Sequence, residues 1–269
     1  MKRRLGAVAK YGFLIAVSLV SLFPLYWMAV SATNSSLAVI RGALLPGKEL
    51  INNYRNLLGN QDLWRAMTNS FVNALSLTAL ALLVCSVAGY AFEIYHTRAK
   101  DALMNVLLLA MMIPFAATMI PLFRMFSDMQ LISTTIAVIL PTISTPFLIM
   151  LFRQSARSFP HDIIEAARID GLGELRIFFR MFFPTMRSTY AAAMTIVFMN
   201  AWNNYLWPRI ILFDSKSLTM PMLVSNLIFG YVTDYGMLML AVLICTLTTI
   251  IIFFFLQKSF AEGIVGAIK

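Results

Sequence analysis

The stretch Glu165–Pro184, EAARIDGLGELRIFFRMFFP, is a charge-rich segment with a glycine between two amphipathic halves. It interrupts a chain of 269 residues, of which 60% are hydrophobic and only 12% are charged. Because globular domains carry about 25% charged residues, a soluble fold of this length could not bury so much apolar surface. The sequence therefore predicts an all-α, polytopic membrane protein in which this stretch lies in a loop outside the membrane.

Six apolar runs approach or exceed the length of a membrane-spanning helix, which is about 20 residues. They lie at residues 11–32, 70–94, 102–123, 131–152, 188–212 and 237–257. The first run follows basic residues, as a secretion signal does, but it is longer than the about 7–15 apolar residues of such signals. We therefore expect it to be a retained span. The predicted division is a first span with its outer loop, a transmembrane core, a loop within that core and a tail, at residues 1–69, 70–260, 158–187 and 261–269.

The distribution of basic residues predicts the orientation of these spans. An even number of spans puts both termini on one side, and most of the 21 Lys and Arg residues then share that side. Cytosolic loops of membrane proteins are enriched in Lys and Arg, so both termini and the loop 158–187 are predicted to be cytosolic. Topology thus explains the net charge of +9, and no nucleic-acid partner is expected.

The predicted spans carry no ionisable residue at their centres. Ion-coupled carriers place such residues at mid-membrane, so a self-contained carrier or channel is disfavoured. Residues 42–48 match the start of a phosphate-binding loop, but Glu49 replaces the Ser or Thr that binds magnesium. Cys85 and Cys245 lie in spans without a second metal ligand nearby. We predict no catalytic residue, metal site or bound cofactor, and energy for uphill transport must come from a partner.

Local signals divide the loop into two helices. Ser158 is suited to cap a helix that begins at Pro160, and Gly171 is suited to end it in a left-handed conformation. A second helix is predicted from Glu174. An apolar stripe is predicted along the first helix, at Ile163, Ile164 and Ala167. These features fit both a docking surface for another protein and a solvated connector that leads into a membrane-surface helix.

The motif Glu165-Ala166-Ala167, then Asp170-Gly171, Ile177 and Phe183-Pro184, resembles the EAA loop of the permeases of binding-protein-dependent ABC importers. Phe183 stands where the family pattern has leucine. Further segments are similar to carbohydrate-importer permeases, at residues 53–58, 69–70, 202–208 and 262–269. With the chain length and the six predicted spans, the resemblance is to the smaller permease subunit of maltose-type importers, which lies in a bacterial-type cytoplasmic membrane.

The resemblance also implies partners and a role for the loop. The first loop helix would seat in a cleft of a cytosolic ATPase, with Glu165 as a main polar contact. The implied ATPase-coupling residues are Glu165, Ala166, Ala167, Asp170 and Gly171. The implied partners are a second, related permease, two ATPase subunits that hold ATP and magnesium, and an external solute-binding protein. Residues of the tail are implied to contact the ATPases, namely Gly263, Gly266 and Lys269.

The polar residues around Trp202 allow two interpretations. Asparagine amides in an apolar helix are costly when they face lipid, so some of them must face protein or water. They either line the path of a sugar or pack between helices, and the residues concerned are Asn200, Trp202, Asn203, Asn204 and Tyr205. A sugar or oligosaccharide is the expected solute, and glycerol phosphate, amino acids and polyamines are the alternatives.

Overall fold

The protein is described by a computed structural model that covers residues 2–228 and 233–266, with side chains described for residues 10–228 and 233–255. All regular elements in this part of the chain are helices, as predicted. In chain order they are α1 (Lys2–Ser31), α2 (Ser36–Ile40), α3 (Leu50–Asn60), α4 (Leu63–Ile94), α5 (Arg98–Ala110), α6 (Phe115–Asp128), α7 (Thr135–Ile139), α8 (Pro146–Arg157), α9 (His161–Ile169), α10 (Glu174–Ile177), α11 (Phe183–Thr185), α12 (Arg187–Trp202), α13 (Leu206–Ile211), α14 (Met220–Ile228) and α15 (Tyr235–Gly266). Short 3-10 turns and a π-helix complete the description, at Leu140–Thr142, Ser215–Ser217 and Phe178–Phe182.

Three helical stretches are long and apolar enough to cross a membrane alone, at Lys10–Ser31, Leu63–Ile94 and Tyr235–Phe255. Two further pairs of helical segments are long and apolar enough only when each pair is counted as one span. The axes of α5 and α6 are bent by 99° at the break between them, and those of Thr135–Thr142 and α8 by 52°. The described residues thus hold three to five spans, and the predicted number of six is not confirmed. The predicted fifth span, 188–212, is divided between α12 with 16 residues and α13 with 6 residues.

Prolines mark both bends. A proline lacks the N–H that would continue a helix, and it disfavours helical backbone in the residue before it. Pro114 has an extended backbone with ψ 134° and precedes the first residue of α6. Pro146 begins α8, and Thr145 before it is extended with ψ 130°. Pro121, in contrast, lies inside α6 and does not end it.

Residues 1–64 and 222–248 form one of two compact units. Within it, the Asn53 side-chain amide donates hydrogen bonds to the carbonyls of Ala32 and Asn34, at 2.9 and 3.0 Å. Gly236 packs at the same place, where an added Cβ would lie 2.4 Å from the Asn34 carbonyl oxygen. Asn53 therefore holds α3 against the turn that follows α1.

Residues 65–221 and 249–269 form the second unit, which contains the loop. Its core joins buried side chains of α4, α8, α9, α10, the π-helix and α12. The Tyr90 ring of α4 lies 5.4 Å from the Phe178 ring and 4.9 Å from the Phe182 ring, measured between centroids. Aromatic pairs at these distances are well packed. The second half of the loop is therefore part of the protein core and not only a solvated connector.

The helices α4 and α8 touch at Gly89. A Cβ on this residue would lie 2.6 Å from the Cβ of Phe152, 2.7 Å from the backbone nitrogen of Arg153 and 2.8 Å from the carbonyl oxygen of Ile149. Small residues allow two helix backbones to approach closely inside a membrane. Because two of these three atoms belong to the backbone of α8, no side-chain movement could make room for a methyl group.

We expect the substitution Gly89→Ala to separate α4 from α8 and to lower the free energy of unfolding by about 1–3 kcal/mol, as overpacking does. Thermal unfolding of the purified protein in detergent, followed by far-ultraviolet circular dichroism, would measure this loss. Gly59→Ala in α3 is the matched control, because a Cβ there meets nothing within 4 Å. Equal midpoints for Gly89→Ala and the unchanged protein would contradict the assigned contact.

Candidate functional site

The first loop helix, α9, begins one step later than predicted. Pro160 occupies the N-cap position with ψ 118°, and His161 is the first helical residue. The prediction that Ser158 caps this helix is wrong. Ser158 has a helical backbone and ends α8, and its hydroxyl donates to the carbonyl of Ser155 at 2.7 Å. A serine hydroxyl that is bonded back into the preceding turn is not available for the next helix.

The end of α9 is the one that the sequence predicts. Gly171 has a φ of +78°, which is the left-handed conformation that glycine adopts without a steric cost. The N–H of Gly171 bonds to the carbonyl of Arg168, and that of Leu172 bonds to the carbonyl of Ala167, both at 3.0 Å. This pair of bonds is the Schellman motif, which satisfies the last carbonyls of a helix. The turn after the EAA motif is therefore fixed by backbone bonds.

The buried face of α9 is narrower than the predicted apolar stripe. Ile164 and Ala167 are almost completely buried in the core of the unit. Ile163 is 42% exposed, so the prediction is wrong for this residue. Positions i and i+3 share a helix face, whereas i and i+1 are separated by about 100°. The neighbouring residue therefore points away from the core that Ile164 enters.

The exposed face of α9 carries Asp162, Glu165, Ala166 and Ile169, which follow the i, i+3, i+4, i+7 spacing of one helix face. Ile169 is 86% exposed, and Leu175 at the start of the next helix is 70% exposed. Two carboxylates, a small residue and two large apolar side chains thus lie uncovered on one loop. Uncovered apolar side chains beside polar ones are typical of protein interaction sites.

The second half of the loop is one nearly continuous helical stretch, from Glu174 to Thr185. Its central turn is the π-helix Phe178–Phe182, which ends two residues before Pro184. Proline cannot bond to the carbonyl four residues earlier, and its ring clashes with that carbonyl, so a locally wider turn accommodates it. The prediction of a helix from Glu174 is confirmed. Three of its apolar residues are buried and three are exposed, namely Ile177, Phe178 and Phe182, and Leu175, Phe179 and Phe183.

An ion pair joins the two halves of the loop. The Arg168 guanidinium donates from Nε to Oε1 of Glu174 at 2.8 Å, and its Cζ lies 5.8 Å from the centre of the Tyr95 ring. The bond from Arg168 holds the pKa of Glu174 below its usual range, with a smaller contribution from Tyr95. The same bond raises the pKa of Arg168. The loop is thereby fastened to the residue that follows α4.

This ion pair predicts that the order of the loop depends on pH. Since the folded protein depresses the pKa of Glu174, the contribution of the carboxylate is present above the ordinary carboxyl pKa of about 4.3. It is lost as the pH falls through the depressed value. We expect Glu174→Gln to raise the mobility of a spin label at Leu175→Cys at pH 7, and the difference from Glu174 to shrink on acidification to about pH 3–4.

Electron paramagnetic resonance spectra of the labelled protein would measure this mobility. Asp162→Asn is the control, since Asp162 is a carboxylate of the same loop without an ion pair in the described part of the chain. A mobility difference for Glu174→Gln that does not change between pH 7 and pH 3 would contradict the assignment.

A second network joins three helices beside the loop. The Arg153 side chain on α8 is 10% exposed, and it bonds from Nε to Oε2 of Glu93 at 3.1 Å and from Nη2 to Asp101. Oε1 of Glu93 also bonds to Arg157 at 3.3 Å. These contacts tie the end of α4 and the start of α5 to α8. The sequence does not predict this network, because the bonded residues are about 50–60 positions apart. The only local signal is the charge of Glu93 near the end of a predicted span.

A cavity of about 300 Å³ lies in the same unit, between α4, α8 and α12. The residues Asn200 and Asn204 line it, together with Thr142, Thr145 and Phe147. Trp202 is 1% exposed and packs its ring against Phe71 at 4.9 Å and Phe198 at 6.1 Å. The amide of Asn203 donates to the carbonyl of Met199 at 2.9 Å, outside the cavity lining.

The remaining candidates have different surroundings. Tyr205 is half-buried and precedes α13. The tail positions Gly263 and Gly266 lie at the end of α15, where only the backbone is described. Lys269 lies outside the described residues. The structure therefore brings two sets of candidates together in one unit, the EAA residues in the loop and the asparagines at the cavity.

Residues 85–265 match the protein family described as the binding-protein-dependent transport system inner membrane component. The chain belongs to this family. Its matched region contains α8 to α13, and thus both the loop and the asparagines of the cavity. The resemblance stated from the EAA motif is confirmed, and so is the all-helical membrane fold.

Relatives and one solved structure match over nearly the whole chain. The lactose transport system permease protein LacG of Rhizobium radiobacter is 41% identical over 100% of this chain and 98% of its own. The arabinooligosaccharides transport system permease protein AraQ of Bacillus subtilis is 34% identical over 96% of this chain and 94% of its own. A chain of a bacterial ABC transporter involved in the import of the acidic polysaccharide alginate has a TM-score of 0.85 at 20% identity, over 96% of this chain and 97% of that one. At this identity the structural likeness shows the fold alone.

Proposed function

We propose that this chain is a permease subunit of an ATP-driven importer for a sugar or oligosaccharide. The observation that carries the proposal is the 41% identity with a lactose permease over the full length of both chains. A second relative with an oligosaccharide in its name, at 34% identity, supports the same solute class. The chain forms half of the translocation path, and a second, related permease subunit forms the other half.

The loop couples this path to ATP hydrolysis. The exposed face with Glu165, Ala166 and Ile169 seats against a cytosolic ATPase subunit, and Glu165 pairs with a basic residue of that subunit. Ala166 has no long side chain, so the partner surface can approach the helix closely. The other three residues position the helix for this contact. Ala167 packs into the core, and Asp170 and Gly171 form the turn that ends the helix.

The other members of the complex follow from this role. Two ATPase subunits hold ATP and magnesium, so this chain itself is not catalytic and binds no cofactor. A solute-binding protein delivers the sugar at the outer face of a bacterial-type cytoplasmic membrane, and both termini of this chain are cytosolic. The tail residues Gly263, Gly266 and Lys269 contact the ATPases. When the ATPase pair closes, the two loops move, and the helices change between inward-open and outward-open arrangements.

Reversing the charge of Glu165 tests the coupling role. We expect Glu165→Lys to leave the protein inserted but to lower sugar uptake by about tenfold or more, since a charge pair at an interface core is lost and a repulsion is added. Uptake and ATP hydrolysis would be measured together, in proteoliposomes that contain the complete complex and the loaded binding protein. Stimulation of ATP hydrolysis by the loaded binding protein is expected to fall in parallel with uptake.

Gln154→Lys is the matched control, because it places the same lysine on the exposed surface of the neighbouring helix α8. It should leave uptake and stimulation unchanged. Full stimulation of ATP hydrolysis in the Glu165→Lys complex would refute the coupling role. Uptake by the unchanged complex in the absence of ATP would refute the importer itself.

A further inference from the structure

The cavity of about 300 Å³ carries polar groups that the protein does not use itself. The side-chain amides of Asn200 and Asn204 and the hydroxyl of Thr145 have no hydrogen-bond partner in the part of the chain that the structure describes. Thr142 donates its hydroxyl to the carbonyl of Ile139 at 3.2 Å, so its oxygen can still accept a bond. Each amide offers two donors and one acceptor, and the Thr145 hydroxyl offers one donor and two lone pairs.

Such groups are free to bond a polar ligand. Asn200 is exposed, and Asn204 and Thr145 are half-buried, so their polar atoms are open to water or to a ligand that replaces it. Asn200 lies in the last turn of α12 and Asn204 follows the end of that helix, while Thr142 and Thr145 come from the bend before α8. Donors and acceptors from two elements therefore converge on one space, which is the usual arrangement of a specific ligand site.

The rest of the lining is apolar and uncharged. Phe147 is 46% exposed, and Leu148 and Val197 contribute aliphatic surface nearby. Among the residues that the structure describes, no Lys, Arg, Asp or Glu lines the cavity. An anionic solute would give up its water there without gaining a cation, which is strongly unfavourable. A ligand with many hydroxyl groups, apolar C–H faces and no charge fits this lining.

We propose that this cavity binds the hydroxyl groups of a neutral saccharide on its way through the membrane, with Asn200, Asn204 and Thr145 as its hydrogen-bonding residues. The inference rests on the proposed function and deepens it, because it assigns the solute class and the residues that select it. A neutral solute would also distinguish this chain from the alginate importer whose fold it shares, because alginate is an acidic polysaccharide. A site built to bond hydroxyl groups rejects solutes that cannot make those bonds.

The test uses the complete complex in proteoliposomes, with loaded solute-binding protein and ATP. Uptake is measured for radiolabelled lactose, arabinotriose and an alginate trisaccharide, and binding-protein-stimulated ATP hydrolysis is measured in parallel. We expect Asn200→Leu and Thr145→Val each to lower uptake of the neutral sugar by about 3- to 10-fold, the usual effect of one lost hydrogen bond. ATP hydrolysis should remain stimulated, because the coupling loop is unchanged.

Asn203→Leu is the matched control, since it removes an amide three residues from Asn200 that does not line the cavity. It should leave uptake unchanged. Thr145→Val keeps the size of the side chain, so a loss of uptake in this variant does not arise from a changed cavity shape. Assembly of each complex is checked by gel filtration before uptake is compared.

Three results would overturn the inference, and they are distinguishable from each other. Unchanged uptake in Asn200→Leu and Thr145→Val, with Glu165→Lys still uncoupled, would reject the cavity and leave the importer in place. Uptake of the alginate trisaccharide alone by the unchanged complex would reject the neutral solute class. ATP-independent uptake, or no ATP-dependent uptake of any of the three probes, would reject the proposed sugar importer together with its site.

Discussion

The close contact of α4 and α8 at Gly89 is the constraint on which the rest of the larger unit depends. At this point the two backbones are too near each other for even a methyl group. One turn further along α4, the carboxylate of Glu93 lies 3.1 Å from Nε of Arg153 on α8. From there α8 leads through Pro160 into α9. The position of the loop therefore depends on a helix contact at a glycine about seventy-five residues earlier in the chain.

Burying Arg153 costs free energy, and its carboxylate partners offset that cost. A buried ion pair adds little net stability compared with apolar residues of similar size, but removal of one partner leaves the other charge unpaired. Such a pair therefore disfavours arrangements in which α4, α5 and α8 are shifted along each other. We interpret the network of Glu93, Asp101 and Arg153 as the contact that fixes the register of these helices next to the loop.

Local signals predicted the loop better than the membrane part. Gly171 ends α9 through its own left-handed backbone conformation, so the end of this helix can be predicted from the sequence. Two predictions for the loop were wrong. The Ser158 hydroxyl bonds backward to the Ser155 carbonyl, and the Ile163 side chain points about 100° away from the buried side chain of Ile164. The bends at Pro114 and Pro146, the pairing of Arg153 and the cavity depend on tertiary packing. No local pattern contains that information, and the span count of six stays a prediction.

The two candidate regions are mechanically connected through α12. This helix begins at Arg187, directly after the loop, and Asn200 lies 13 residues further along it, which corresponds to about 20 Å at 1.5 Å per residue. Near its start, the hydroxyls of Thr189 and Ser155 are 2.8 Å apart, so α12 is also bonded to α8. A tilt of α12 by about 10° about this end would shift Asn200 by about 3 Å, comparable to the length of a hydrogen bond. Because helices resist bending, a displacement of the start of α12, beside the loop, would also displace Asn200 at the cavity.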